Sequence, residues 1–69
     1  MPLIEVTLVE GRTAQQLRDF MHRIHLAAVA TLDASPASVR VIIREIPATH
    51  WAAGDETLAE RRAATAEEA

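Results

Sequence analysis

Pro2, Arg12 and Arg40 are the residues of this 69-residue chain whose types can do chemistry together. A small residue directly after the initiator lets Met1 be trimmed, so the mature chain is expected to begin at Pro2. The nitrogen of Pro2 is then a free secondary amine, a base or nucleophile when neutral and an acid when protonated. Guanidinium groups bind carboxylates through paired hydrogen bonds and stabilise enolate charge. Together they suit one reaction type. The amine takes a proton next to a carbonyl, and the ammonium returns one elsewhere on the conjugated system. Nearby guanidinium charge and an apolar wall lower an amine's proton affinity, and Trp51 is the candidate wall. Plainer readings exist for each residue. Pro2 can be only a strand-start residue, where a missing N–H costs little. An Arg is ordinarily a solvated or ion-pairing side chain, and Arg18, Arg23, Arg44, Arg61 and Arg62 are assigned to that class. Trp51 can be a packing residue at an interface.

Few elements are available to position these groups. Pro2 to Glu10 reads as a strand, because Ile4, Val6 and Leu8 alternate with Glu5 and Thr7 at the two-residue period of a sheet. Gly11 marks a turn. Thr13-Ala14-Gln15-Gln16 is a capping box, which starts a helix from about Ala14 to Leu32. Leu17, Phe20, Met21, Ile24, Ala28 and Leu32 recur at three- and four-residue steps and form an apolar stripe. His25, Leu26 and Val29 widen that stripe. Pro36 ends the helical region and biases Ser35 away from helical angles. Ser38 to Ile46 is the expected second strand, with Val39, Val41 and Ile43 on one face and Arg40, Ile42, Arg44 and Ile46 on the other. Strand, helix and strand make one βαβ unit, with parallel strands and a right-handed crossover. Ala48 to Asp55 reads as a short turn followed by a small hairpin or extended arm. The expected domain spans 1–62, and the Ala-, Thr- and Glu-rich residues 63–69 read as a flexible tail.

In a parallel pair, Arg40 and Pro2 lie at the same end of the sheet. Arg12 lies beyond the other end of the first strand, roughly 30 Å from Pro2 at about 3.3 Å per residue. It cannot serve its own Pro2. Antiparallel pairing of the first strands of two subunits places Arg12 of one beside Pro2 of the other. The same association closes a four-stranded sheet with two helices over one face.

Composition points to association as well. The chain is short, and hydrophobic residues make up 49% of it, with only one Phe and one Trp. A core this small and aliphatic, without disulfides or metal, seldom suffices alone. There is no Cys, which removes thiolate chemistry and fits a reducing cytosol. A cytoplasmic location is expected. No stretch reads as a membrane span or signal peptide. A net charge of −3 argues against a nucleic-acid partner, which calls for a basic patch. His22 and His25 sit three apart on the helix, but no third ligand has suitable local spacing. No metal and no cofactor are expected.

At this point the sequence resembles the 4-oxalocrotonate tautomerase family. The carriers are the Pro-initiated strand ending Val9-Glu10-Gly11-Arg12, the capped helix, Ser38-Val39-Arg40-Val41-Ile42-Ile43, and His50-Trp51 before Gly54. The resemblance runs from Pro2 to about Arg62. It implies an α+β fold, a single βαβ unit with a short C-terminal hairpin or arm, assembled as dimers and then as a hexamer, a trimer of dimers. It implies Pro2 as general base and then acid, and Arg12 as the holder of the far carboxylate. Arg40, from another subunit, binds the near carboxylate and the 2-oxygen. Trp51 stands where a phenylalanine keeps the site apolar, and Val9 where an aliphatic residue lines the pocket. The family's glycine pair is here Gly54-Asp55. Relatives that hydrate halogenated acrylates carry a Glu where this chain has Ala53 and an arginine where it has Val9. Relatives that decarboxylate carry an Asp at the position of Ser38.

The expected function is therefore an isomerase that converts 2-hydroxymuconate-type dienols to 2-oxo-enoates, as in the degradation of aromatic compounds. The alternatives are a non-catalytic or partner-requiring subunit of a hetero-oligomer, and a biosynthetic tautomerase with a different substrate.

Overall fold

A computed structural model describes residues 1–68. Branched and polar residues alternate through strand β1, Leu3–Val9, which lies parallel to β2, Arg40–Ile46. Leu3 faces Arg40, Ile4 faces Val41, Val6 faces Ile43 and Val9 faces Ile46 across the ladder. Strand side chains alternate between faces. Ile4, Val6, Val41 and Ile43 therefore share one side of the sheet. Leu3, Glu5, Val9, Arg40, Ile42, Arg44 and Ile46 share the other. The amide of Glu10 donates to the Ile46 carbonyl at 2.9 Å and extends the ladder beyond β1.

Helix α1, Ala14–Leu32, crosses between the strands. The Thr13 hydroxyl accepts from the Gln16 amide at 3.1 Å, and the Gln16 side chain accepts from the Thr13 amide at 2.9 Å, the reciprocal box expected from sequence. Gly11 makes the entry turn at φ 136°, open to glycine and strained for other residues. Asp33 ends the helix in the left-handed region at φ 52°, a conformation that short polar side chains tolerate. Leu17, Met21, Ile24 and Val29 of α1 are half-buried and Ala28 is buried. Phe20 and Leu32, from the same apolar stripe, remain exposed.

The second strand begins two residues later than the expected Ser38. Pro36–Ser38 form a 3-10 turn instead, because both the amide and the hydroxyl of Ser38 donate to the Ser35 carbonyl, at 2.9 and 2.7 Å. After β2, a second 3-10 turn, Ala48–His50, leads to Trp51. Strands β3, Ala52–Ala53, and β4, Glu56–Thr57, then form a two-stranded hairpin, with Gly54 at φ 65° in its turn.

The chain closes with helix α2, Leu58–Glu68. Residues 63–68, read from the sequence as tail, are its continuation, and Ala69 lies outside the described residues. Alanine, glutamate and arginine are strong helix formers, and the Thr57 hydroxyl caps the helix by accepting from the Glu60 amide at 3.1 Å. Among the described residues, no helix is long and apolar enough to cross a membrane.

One chain builds little interior. Ala28 and Val39 are its buried hydrophobic residues. The radius of gyration is 16.2 Å, against about 11 Å for a compact chain of this length. The accessible surface is 5258 Å², against about 4,200 Å² expected for the mass. Leu3 and Ile42, on the sheet face away from α1, are 59% and 43% exposed.

Candidate active site

The parallel register brings Pro2 and Arg40 together. The Arg40 amide donates to the Pro2 carbonyl at 3.0 Å, so the amino end and the first residue of β2 are fixed side by side. The Arg40 guanidinium is held by the preceding turn: Nη1 donates to the Ala37 carbonyl at 2.7 Å and to the Val39 carbonyl at 3.3 Å. Pro36 and Ser35 shape that turn and thereby set where the guanidinium sits.

Arg12 lies at the other end of the sheet. Its Nη1 donates to the Val9 carbonyl at 3.3 Å. It lines an apolar groove of about 280 Å³ with Leu8, Gln16, Leu17 and Phe20. Gln16 and Phe20, read from the sequence as cap and core, are thus neighbours of Arg12. The signal for this was available: they lie one and two helical turns beyond it.

Charge sorts the arginines. Arg44 pairs with Glu5 at 3.5 Å and Arg61 with Glu56 at 2.8 Å, both on the surface. Among the described residues, Arg12 and Arg40 have no carboxylate partner, a property they share with Arg18, Arg23 and Arg62. What distinguishes Arg12 and Arg40 is that backbone carbonyls orient their guanidiniums and leave further N–H donors for an anionic ligand.

Trp51 follows the far end of β2. Its carbonyl accepts from the Leu58 amide at 2.7 Å, and it lines a small depression of about 90 Å³ with Ala53, Glu56, Thr57, Leu58 and Arg61. Val9 is also at the far end, opposite Ile46. Within one chain, then, Pro2 and Arg40 occupy one end of the sheet, and Val9, Arg12 and Trp51 belong to the other. The seven residues of β1 separate the two groups by about 20 Å.

A family model described as tautomerase enzyme matches residues 2–61. A 4-oxalocrotonate tautomerase isozyme from Methylibium petroleiphilum superposes with a TM-score of 0.87 at 41% identity, covering 91% of this chain and 98% of that one. The chain belongs to the 4-oxalocrotonate tautomerase family. Among the curated members of this tautomerase family, a probable tautomerase of Ralstonia nicotianae is 57% identical over 51 residues, 74% of this chain and 73% of the relative. A 2-hydroxymuconate tautomerase of Stutzerimonas stutzeri is 37% identical over 57 residues, 83% of this chain and 90% of the relative. The tautomerase match ends at residue 61, part-way along α2, which continues to Glu68.

Proposed function

We propose that this tautomerase isomerises 2-hydroxymuconate-type dienols to 2-oxo-enoates, with Pro2 as general base and then acid. The neutral amine of Pro2 takes the 2-hydroxyl proton of the dienol. The electron pair moves along the conjugated chain as the 2-oxo group forms, and the ammonium returns a proton to a chain carbon. Arg40, which the family resemblance assigns to the site from another subunit and which also stands beside Pro2 of its own chain, binds the near carboxylate and the 2-oxygen, where charge develops. Arg12 holds the far carboxylate. Val9 and Trp51 keep the site apolar. Removal of Met1 is a condition of the mechanism, because the Met1–Pro2 peptide turns the amine into an amide with no basic lone pair. Met1 is 91% exposed.

The observation that carries the reading is the placement of an amino-terminal proline beside Arg40, with Arg12 a full strand length away. No single chain spans that distance with its own side chains. Two chains whose β1 strands pair antiparallel bring Arg12 of each beside Pro2 of the other. They also close a four-stranded sheet and cover the open edge of β1, which among the described residues pairs only with β2. Burial of Leu3 and Ile42 calls for further association of dimers through the sheet face. The family resemblance implies a hexamer, a trimer of dimers, and we propose that assembly as the working enzyme. The relative named for 2-hydroxymuconate supports the substrate class.

The test is ketonisation of 2-hydroxymuconate, followed by ultraviolet absorbance on protein whose intact mass shows Met1 removed. Turnover that vanishes in Pro2→Ala is the expected result. Absence of turnover in a correctly trimmed oligomer would sink the assignment.

A further inference from the structure

Two features have no role in the chemistry above. The first is a groove of about 490 Å³ between α1 and β2, lined by Arg18, His22 and His25 above an apolar floor that includes Met21, Val39 and Val41. It lies at the Pro2 end of the sheet, since Val39 and Val41 flank Arg40. Among the described residues, Arg18, His22 and His25 have no acidic partner at ion-pair distance. The second is the hairpin β3–β4, which packs chiefly on itself, on the second 3-10 turn and on α2 rather than on α1. At its turn stands Asp55, exposed and likewise unpaired among the described residues.

We propose that the Gly54-Asp55 turn of one chain seats in this groove on a second copy, with the Asp55 carboxylate against Arg18, His22 and His25. Charge complementarity selects the occupant: one exposed acid on a projecting turn meets three nitrogen-bearing side chains on an apolar floor. The surface excess of the isolated chain calls for association with further copies. Geometry adds a consequence. Trp51 is four residues from Asp55, within about 13 Å along an extended chain. A turn seated beside Val39 and Val41 therefore carries Trp51 of one subunit toward Pro2 and Arg40 of another. In that last respect the inference rests on the proposed role of Trp51.

The chain contains no Cys, so an engineered pair reports proximity cleanly. In a double variant, His22→Cys with Asp55→Cys, mild oxidation is expected to give covalently linked chains on a non-reducing gel, and neither single variant should do so. A disulfide needs Cα atoms within about 7 Å. No link in a double variant that native mass spectrometry finds assembled would overturn the docking. Charge exchange is the second measurement. Asp55→Arg is expected to weaken assembly roughly tenfold, and adding Arg18→Asp to restore it. Unchanged assembly in Asp55→Arg would also overturn the proposal. Neither readout uses turnover. An assembled, cross-linked but inactive protein would defeat the enzymatic reading alone, and an active enzyme without the link would defeat this one alone.

Discussion

The backbone amide of Arg40 donates a 3.0 Å hydrogen bond to the carbonyl of Pro2. This places a guanidinium-bearing residue next to the amino end by main-chain geometry, whatever the side chains do. Replacing Pro2 with alanine keeps that bond, since the carbonyl remains, but exchanges the secondary amine for a primary one on a more flexible residue. Turnover of 2-hydroxymuconate is expected to fall by on the order of 10²–10⁴, with the oligomer intact by native mass spectrometry. Turnover within a few-fold of the parent would remove Pro2 from the chemistry.

Arg12 and Arg40 sit at opposite ends of the sheet and are expected to fail differently. On the proposed mechanism Arg12→Ala removes a contact to the far carboxylate, so KM for a dicarboxylate should rise roughly 10- to 100-fold. A monocarboxylate analogue should notice the change little. On the same mechanism Arg40→Ala removes a group that meets developing charge, so kcat should fall along with binding. Steady-state kinetics on the two substrates separates these patterns, and equal effects of Arg12→Ala on both would argue against its assignment.

The sheet face away from α1 exposes Leu3 and Ile42 beside the Glu5–Arg44 pair. Ile42→Glu should shift the assembly toward smaller species in native mass spectrometry at fixed concentration, because burial of that face would bury a charge. Arg44→Ala leaves the Glu5 carboxylate without its partner on that same face and should weaken assembly in the same direction. An undisturbed assembly in Ile42→Glu would place that face in solvent.

Both hydrogen bonds of the Thr13–Gln16 box are present. Thr13→Ala should cost about 1 kcal/mol, measured by urea unfolding at constant protein concentration, because assembly makes stability concentration-dependent.

Most of this architecture was legible where a local rule decides it. The two-residue period announced β1, the Thr13–Gln16 box and the apolar stripe announced α1, and the crossover rule then made the strands parallel. That places Arg40 at the Pro2 end on sequence grounds alone. The boundary of β2 was not legible, because Ser38 can equally start a strand or bond back to the Ser35 carbonyl, and the turn wins. Helix α2 carries two opposed signals. Thr57-Leu58-Ala59-Glu60 has the threonine-to-acid spacing of a helix start, while the Ala-, Thr- and Glu-rich composition after it reads as a tail. The neighbours of Arg12, Gln16 and Phe20, were obscured because each already had a local explanation.

The separation of Pro2 from Arg12 by the length of β1 has a genetic consequence. If each site takes its amine from one chain and its far guanidinium from another, a protein lacking the amine and a protein lacking the far guanidinium can repair each other. A mixed dimer of Pro2→Ala and Arg12→Ala chains contains one doubly damaged site and one in which both residues are intact. Co-expression of the two impaired alleles should therefore restore sites with parental kinetics on a dicarboxylate, with the defect behaving as a property of the pairing and not of either polypeptide.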